Sequence, residues 1–158
     1  MKGKLYVVAT PIGNLADITL RAIETLKSCA FVLAEDTRVS RKLLDRHGID
    51  TTLISYRDQN HGKILPKIIE KLDAGLDLAL ISDAGTPLIS DPGYKLVEYL
   101  KESGYEVLPI PGPDSVTAAL SASGLPTDRY IFLGFLPKSE KRRDEMVSNH
   151  VVFEETVA

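Results

Sequence analysis

Short apolar runs alternate with amphipathic helical segments along most of this chain, and this alternation limits the possible folds more than any other feature. The clearest run is Leu78–Ile81, which reads Leu-Ala-Leu-Ile. A strand that is apolar on both sides is typical of a parallel sheet covered by helices on both faces. Comparable runs predict further strands at 5–9, Phe31–Ala34, 51–55, 106–110 and 130–133. The pattern therefore predicts an α/β fold, with a mainly parallel sheet of five to six strands and helices on both faces.

Capping residues predict where two of the helices begin. Asp17 is expected to cap a first helix whose buried face carries Ala22, Ile23 and Leu26. Asp91 is expected to cap a later helix that begins at Pro92, because proline fits the first position of a helix.

The composition is that of an ordinary globular domain. The chain has 158 residues, of which 44% are hydrophobic and 26% charged, and this is enough for one domain with its own core. Its net charge of −3 argues against a strongly basic nucleic-acid-binding protein but leaves room for a local basic patch. No apolar run is long enough to span a membrane and no signal peptide is evident, so a cytoplasmic protein without membrane contact is expected.

Reactive and metal-binding side chains are sparse. Cys29 is the single cysteine and stands in an apolar segment, so we expect a buried and inert thiol. The histidines, His47, His61 and His150, lack the spacing of metal ligands, and no metal site is expected.

Five predicted loops follow the carboxyl ends of strands, and most of them are rich in glycine and proline. They are 10–15, 35–38, 82–89, 111–115 and 134–137. In a parallel sheet such loops gather at one edge, where α/β proteins bind ligands. The phosphate-binding sequences of P-loop and Rossmann proteins are absent. Backbone-rich loops with little charge favour an uncharged or cationic organic ligand; S-adenosylmethionine fits this description, and so do other nucleosides.

Four motifs resemble a known family. They are Val-Ala-Thr-Pro-Ile-Gly-Asn-Leu at 8–15, Ala-Glu-Asp-Thr-Arg at 34–38, Ser-Asp-Ala-Gly-Thr-Pro-Leu-Ile-Ser-Asp-Pro-Gly at 82–93 and Pro-Gly-Pro at 111–113. In this order they resemble the tetrapyrrole methylase superfamily, and within it the enzymes that methylate the ribose 2′-hydroxyl of a cytidine in 16S ribosomal RNA. The resemblance runs from residue 5 to about residue 137.

The resemblance implies two α/β domains, a homodimer, S-adenosylmethionine as the methyl donor and the small ribosomal subunit as the substrate. Gly85-Thr86-Pro87 takes the place of the family's Gly-Asp-Pro loop. By the same resemblance, the donor is expected to contact Pro11, Gly85, Thr86, Leu88, Ile89, Ser115 and Val116. One departure is Asp114, which stands where the subfamily usually has serine.

The resemblance also implies a division of the chain. Residues 1–137 correspond to the family's amino-terminal domain, and 138–158 to a linker followed by the start of a second domain, with a possible strand at 151–153. The chain is therefore expected to be an amino-terminal fragment, and its activity without the second domain is an open question.

Methyl transfer from a sulfonium is an in-line displacement in which the enzyme mainly positions the donor against the nucleophile. A ribose hydroxyl is a poor nucleophile, so a general base is expected, and Asp36 and Asp83 are the candidates at the strand edge. The alternative for Asp36 is that it pairs with Arg38 or caps the helix that follows.

Basic residues recur on that helix. Arg38, Arg41 and Lys42 are candidates for contact with RNA phosphates, although a solvated helix face explains them equally well. Two other functions stay open. One is C-methylation of a small tetrapyrrole, and the other is an inactive fragment that dimerises and binds a nucleoside.

Overall fold

The computed structural model describes residues 1–150 and 156–157, with only the backbone of His150, Thr156 and Val157. The chain divides into two compact units, Met1–Pro113 and Asp114–Ala158. The possible strand at 151–153 lies outside the described residues. The domain boundary expected near residue 137 stays a prediction.

The first unit is built on a parallel sheet of five strands. In chain order they are β1 (Leu5–Val8), β2 (Phe31–Ala34), β3 (Thr52–Ser55), β4 (Leu78–Ile81) and β5 (Val107–Ile110). Their order across the sheet is β3-β2-β4-β1-β5, and every pairing is parallel. β4 therefore lies at the centre between β2 and β1, and the α/β class predicted from the alternation is confirmed.

Helices cover both faces of this sheet, as the sequence predicts. They are α1 (Leu20–Ser28), α2 (Thr37–Arg46), α3 (His61–Asp73) and α4 (Tyr94–Glu102). Side chains that alternate along β2 divide between two cores: Val32 and Ala34 pack with α1 and α2, whereas Phe31 and Leu33 pack with α3 and α4. Because both faces are buried, β2 and β4 are apolar at every position.

One predicted helix start is wrong because the chain makes a separate turn first. α1 begins at Leu20, and its cap is Thr19, whose hydroxyl accepts a hydrogen bond from the Ala22 N–H at 3.1 Å. Asp17 instead ends a 3₁₀ turn, Leu15–Asp17, and the next residue is extended. The helix therefore cannot start until the chain has left that turn.

A second predicted helix start, at Pro92 with Asp91 as its cap, is also wrong. α4 begins at Tyr94, and the residue before it is Gly93, which has a φ of 126°. A positive φ is not a helical conformation and favours glycine, so the run of helical residues can begin only after Gly93. Pro92 therefore lies in the loop before α4, and Asp91 does not cap this helix.

The second unit contains two helices and a two-stranded sheet within the described residues. They are α5 (Ser115–Ser123), β6 (Tyr130–Ile131), α6 (Glu140–His150) and β7 (Thr156–Val157). The strand predicted at 130–133 is wrong in length and place, since β6 has two residues and pairs in parallel with β7. Gly134, with a φ of 69°, turns the chain soon after β6.

Candidate functional site

The neighbouring strands β1 and β4 are followed by helices on opposite faces of the sheet. The chain that leaves β1 turns toward α1, and the chain that leaves β4 turns toward α4. Open α/β sheets bind ligands at the carboxyl ends of neighbouring strands whose connections run to opposite faces, so the ends of β1 and β4 are the candidate place for a ligand. The connections that follow β2 and β4 also run to opposite faces, since α2 packs with α1 and α4 packs with α3. Loops 10–15, 35–38 and 82–93 therefore border the candidate site.

Two of these loops are joined by an isolated antiparallel bridge between Thr10 and Gly85. The Thr10 N–H donates to the Gly85 carbonyl at 2.9 Å, and the Gly85 N–H donates to the Thr10 carbonyl at 3.0 Å. The buried hydroxyl of Thr10 also donates to the Ser82 carbonyl at 3.2 Å. Buried polar groups that are satisfied in this way hold a loop in one conformation. The loops after β1 and β4 thus lie side by side, as the sequence predicts.

Gly85 occupies a backbone conformation that favours glycine. Its φ is 82°, in the left-handed region. A Cβ at this position would lie 3.4 Å from Cγ2 of Ile12. Ile12 is itself 38% exposed, so an apolar surface lies directly beside this backbone segment. The sequence placed Ile12 in a site loop but did not single it out, because one isoleucine in a loop carries no signal of its own.

The loop after β5 lies at the same edge. Its Pro113 carbonyl accepts a hydrogen bond at 3.3 Å from the hydroxyl of Thr86, which is on the loop after β4. Gly112 lies against the end of β1, since a Cβ at Gly112 would come within 3.1 Å of the Ala9 Cβ. The predicted grouping of loops 10–15 and 82–89 with the first part of 111–115 is therefore confirmed.

Two of the expected donor contacts, Ser115 and Val116, begin α5 in the second unit. Their part in donor binding stays a prediction. Asp114, the departure from the family pattern, caps this helix: its Oδ1 accepts from the Thr117 N–H at 2.8 Å and from the Thr117 hydroxyl at 3.1 Å. Aspartate and serine are both preferred capping residues, so the departure preserves a local structural role.

The two candidate bases lie next to each other. The Asp36 N–H donates to Oδ1 of Asp83 at 3.0 Å, which links the loops after β2 and β4. The Asp36 carboxylate, by contrast, accepts from Arg38 three times: from the backbone N–H at 2.9 Å, from Nε at 3.1 Å and from Nη2 at 2.6 Å. These bonds hold the pKa of Asp36 well below its usual range. Asp36 therefore fills the capping and ion-pairing role given above as its alternative, and Asp83 as a general base stays a prediction.

Two further carboxyl groups stand at this edge. Burial raises the pKa of Glu35, and the charges of Asp83 and Asp91 raise it further. Burial also raises the pKa of Asp91, while a hydrogen bond from Ser82 opposes that rise. The charge of Arg57 opposes the rise at Glu35. Three carboxyl groups, those of Glu35, Asp83 and Asp91, thus stand close together at this edge, and such a group favours a cationic ligand. The sequence missed Asp91 in this role because its position before Pro92 indicated a helix cap.

The loop between β4 and α4 holds two residues in strained conformations. Leu88 has a φ of 74° and Ser90 a φ of 64°, both in the left-handed region. Such conformations cost on the order of 1 kcal/mol each and persist only where neighbours enforce them. Leu88 packs against the core under α3 and α4, whereas Ile89 is 49% exposed. The loop is therefore anchored by Leu88 and presents Ile89 outward.

The candidate RNA contacts all lie on α2, which begins at the carboxyl edge of the sheet. The Arg38 side chain is 87% exposed even though Nη2 pairs with Asp36. Arg41 pairs with Asp45 at 3.8 Å, one turn along the helix, and Lys42 is exposed. The structure brings these cations to one helix beside the candidate site, and their contact with RNA stays a prediction.

Other chemical features can be stated for the described residues. In residues 1–150 and 156–157, no three His, Cys, Asp or Glu side chains are grouped so as to hold a metal ion. No helix in that part of the chain is both long and apolar enough to cross a membrane. Cys29 is buried, as the sequence predicts, and burial raises the pKa of its thiol to about 12.

Several curated proteins are similar in sequence to this chain, and they share one name, ribosomal RNA small subunit methyltransferase I. The relative from Mesorhizobium japonicum is 60% identical over 133 residues, which cover 84% of this chain and 45% of the relative. The relative from Escherichia coli O157:H7 is 51% identical over 146 residues, which cover 92% of this chain and 51% of the relative. The chain therefore spans about half the length of the curated relatives it matches.

Solved structures share the fold at lower identity. The crystal structure of uroporphyrin-III-C-methyltransferase from Thermus thermophilus has a TM-score of 0.61 and 23% identity, and the match covers 84% of this chain and 60% of that one. A putative cobalamin synthesis related protein from Corynebacterium diphtheriae has a TM-score of 0.63 and 20% identity, with 84% and 64% covered. Residues 4–157 also match the tetrapyrrole (corrin/porphyrin) methylases. The resemblance expected from the four motifs is thereby confirmed, and the chain belongs to the tetrapyrrole methylase family.

Proposed function

We propose that this chain is the donor-binding part of an S-adenosylmethionine-dependent methyltransferase that modifies the ribose 2′-hydroxyl of a cytidine in 16S ribosomal RNA. The observation that carries the proposal is the 60% identity to a relative named for methylation of small-subunit ribosomal RNA. The solved structures named for uroporphyrin and cobalamin chemistry are only 23% and 20% identical. This difference favours ribosomal RNA over a small tetrapyrrole. A ribosomal substrate also favours a cytoplasmic location.

The candidate site fits both parts of the donor. Ile12 and Ile89 offer exposed apolar surface on two adjacent loops, which suits the adenosine. Glu35, Asp83 and Asp91 supply negative charge at the same edge, which suits the positive sulfonium. The donor, when bound, supplies an activated methyl group. The chain's own task is then to orient the donor and to accept a proton.

Asp83 is the proposed general base. Its Oδ1 accepts from the Asp36 N–H, and none of the described residues donates to its Oδ2. With the donor bound, that oxygen would accept the proton of the ribose hydroxyl, and the donor would supply the methyl group. Asp36 serves as a positioning residue, since its backbone fixes Asp83 and its carboxylate orients Arg38. Arg38, Arg41 and Lys42 supply cations for RNA phosphates near the donor.

A homodimer is the proposed assembly, and the second unit supports it. Five of its large apolar side chains are at least two-fifths exposed: Leu125, Tyr130, Phe132, Phe135 and Leu136. A second copy or a further domain that covers these side chains would remove their apolar surface from water, which favours association. Light scattering that shows a strict monomer at high concentration would count against association through this unit.

Joining this chain to the second half of the Mesorhizobium japonicum relative tests the proposed reaction. The chimera is incubated with tritiated S-adenosylmethionine and small ribosomal subunits that lack the modification. We expect label in 16S RNA that remains in an alkali-resistant dinucleotide beginning with cytidine, because a 2′-O-methyl group blocks alkaline cleavage. The intact relative serves as the positive control.

Two results would contradict the proposal. One is a folded chimera that leaves the RNA unlabelled while the relative labels it. The other is a chimera that labels uroporphyrinogen III and not RNA. Asp83→Asn is the matched variant, and its label should fall while its folding persists.

A further inference from the structure

The loop after β3 lies at the same edge of the sheet and is closed by hydrogen bonds of its own. It begins at the buried Tyr56 and contains the 3₁₀ turn Asp58–Asn60. The Asn60 side chain closes the loop on itself, since Nδ2 donates to the Ser55 carbonyl at 3.1 Å and Oδ1 accepts from the Arg57 N–H at 2.9 Å. A loop that satisfies its own backbone in this way can serve as a fixed support for its neighbours.

From this support, two adjacent side chains reach two different loops of the candidate site. Arg57 Nε donates to the Glu35 carbonyl at 3.2 Å, on the loop after β2. Asp58 Oδ1 accepts from the Gly93 N–H at 3.3 Å, at the end of the loop after β4. The loops after β2 and β4 both carry candidate site residues, and the dipeptide Arg57-Asp58 contacts both loops.

The end of the loop after β4 needs such a contact. Gly93 stands at the cap position of α4, makes no side-chain cap and has a φ of 126°. Leu88 and Ser90, a few residues earlier, are held in the left-handed region. Strained segments persist only where surrounding groups fix them. The Asp58 carboxylate also lies at the positive end of α4, where negative charge is favoured.

We propose that Asp58 is a positioning residue for donor binding, and that it acts by holding Gly93 and, through it, the loop that carries Thr86 and Ile89. Arg57 holds the neighbouring loop at Glu35. This inference rests on the proposed function, because the loop matters only if it receives the donor. Asp58 itself contacts neither donor nor RNA in this role.

The test compares Asp58→Ala, which removes the acceptor, with Asp58→Asn, which keeps an oxygen acceptor. Asp50→Ala is the control, because Asp50 is an exposed aspartate that precedes β3 in the chain, whereas Asp58 follows it. Two quantities are measured on the intact 158-residue chain. They are hydrogen exchange in peptides covering 82–93, and the dissociation constant for S-adenosylmethionine by calorimetry.

We expect Asp58→Ala to accelerate exchange in 82–93 and to weaken donor binding about fivefold, the usual effect of one lost hydrogen bond. Asp58→Asn should recover most of both effects, and Asp50→Ala should match the wild type. The inference is overturned if Asp58→Ala matches the wild type in exchange, or if exchange rises while affinity is unchanged. A wild-type chain that binds no donor would instead contradict the proposed function, and exchange would still decide whether Asp58 holds the loop.

Discussion

Thr10 and Gly85 exchange two backbone hydrogen bonds at the point where the chain leaves the sheet toward opposite faces. The pair joins the loops after β1 and β4. All the expected donor contacts in the first unit lie on these two loops: Pro11, Gly85, Thr86, Leu88 and Ile89. The geometry of this pair therefore sets how the surfaces of the candidate site face each other.

Replacing Gly85 by valine should abolish donor binding while the fold survives. At a φ of 82°, a Cβ costs on the order of 1–2 kcal/mol, and it would also meet Ile12 at 3.4 Å. The matched control is Gly104→Val, because Gly104 has a φ of 75° and open space around it, far from the site in the chain. Calorimetry with S-adenosylmethionine and circular dichroism should show loss of binding in Gly85→Val only. Unchanged affinity with unaltered dichroism would mean that the Gly85 loop is only a turn.

Removing the Thr86 hydroxyl should have a smaller effect. Thr86→Ala loses the hydrogen bond to the Pro113 carbonyl, which ties the loop after β4 to the loop after β5. We expect donor binding to weaken by about 1 kcal/mol, the value of an ordinary hydrogen bond. Thr86→Ser keeps the hydroxyl and should bind like the wild type. Equal weakening in both variants would assign the effect to the lost methyl group instead.

Local sequence patterns were sufficient for the sheet but not for the contacts between loops. Leu78–Ile81 and Phe31–Ala34 were predictable because burial on both faces leaves an uninterrupted apolar run. The proposed role of Asp58 was not predictable from local patterns, because the Gly93 N–H that it accepts from is 35 residues away in the chain. The start of α4 was misplaced for a similar reason. Asp91-Pro92 is a good local start signal, but the backbone at Gly93 has a positive φ, so the helix begins only after it.

The two aspartates at the β2 and β4 loops should differ in their effect on catalysis. Asp83→Asn removes the proposed base and should lower kcat for RNA methylation by roughly 10²- to 10⁴-fold. Asp36→Asn keeps the backbone N–H that contacts Asp83 and an oxygen that can cap α2, so kcat should change far less. Single-turnover methylation by the chimera measures both. A larger loss in Asp36→Asn than in Asp83→Asn would reverse the assignment.

The ion pair between Asp36 and Arg38 should make stability depend on pH in acid. The Arg38 hydrogen bonds hold the pKa of Asp36 well below its usual range, so the folded chain favours the ionised form more than the unfolded chain does. This contribution is fully present above the ordinary aspartate pKa of about 4, and it is lost as the pH falls toward the lower folded value. Urea unfolding of the wild type and Asp36→Asn should therefore differ most at neutral pH and converge in acid.

A double-mutant cycle controls this interpretation. In the Arg38→Ala background, Asp36→Asn should have a smaller effect at neutral pH, because the partner is already absent. A difference that is the same at every pH, or the same with and without Arg38, would show that the ion pair contributes nothing measurable.

The central claim is that S-adenosylmethionine binds at the carboxyl edge of the sheet between β1 and β4. Titration of the 15N-labelled 158-residue chain with the donor, followed by amide NMR, tests this claim residue by residue. We expect saturable shifts at the amides of Thr10, Gly85, Thr86 and Ile89, and none at the opposite edge, where Leu5 and Leu78 begin β1 and β4. Saturable shifts confined to other parts of the chain, with the Thr10 and Gly85 amides unmoved, would contradict the claim.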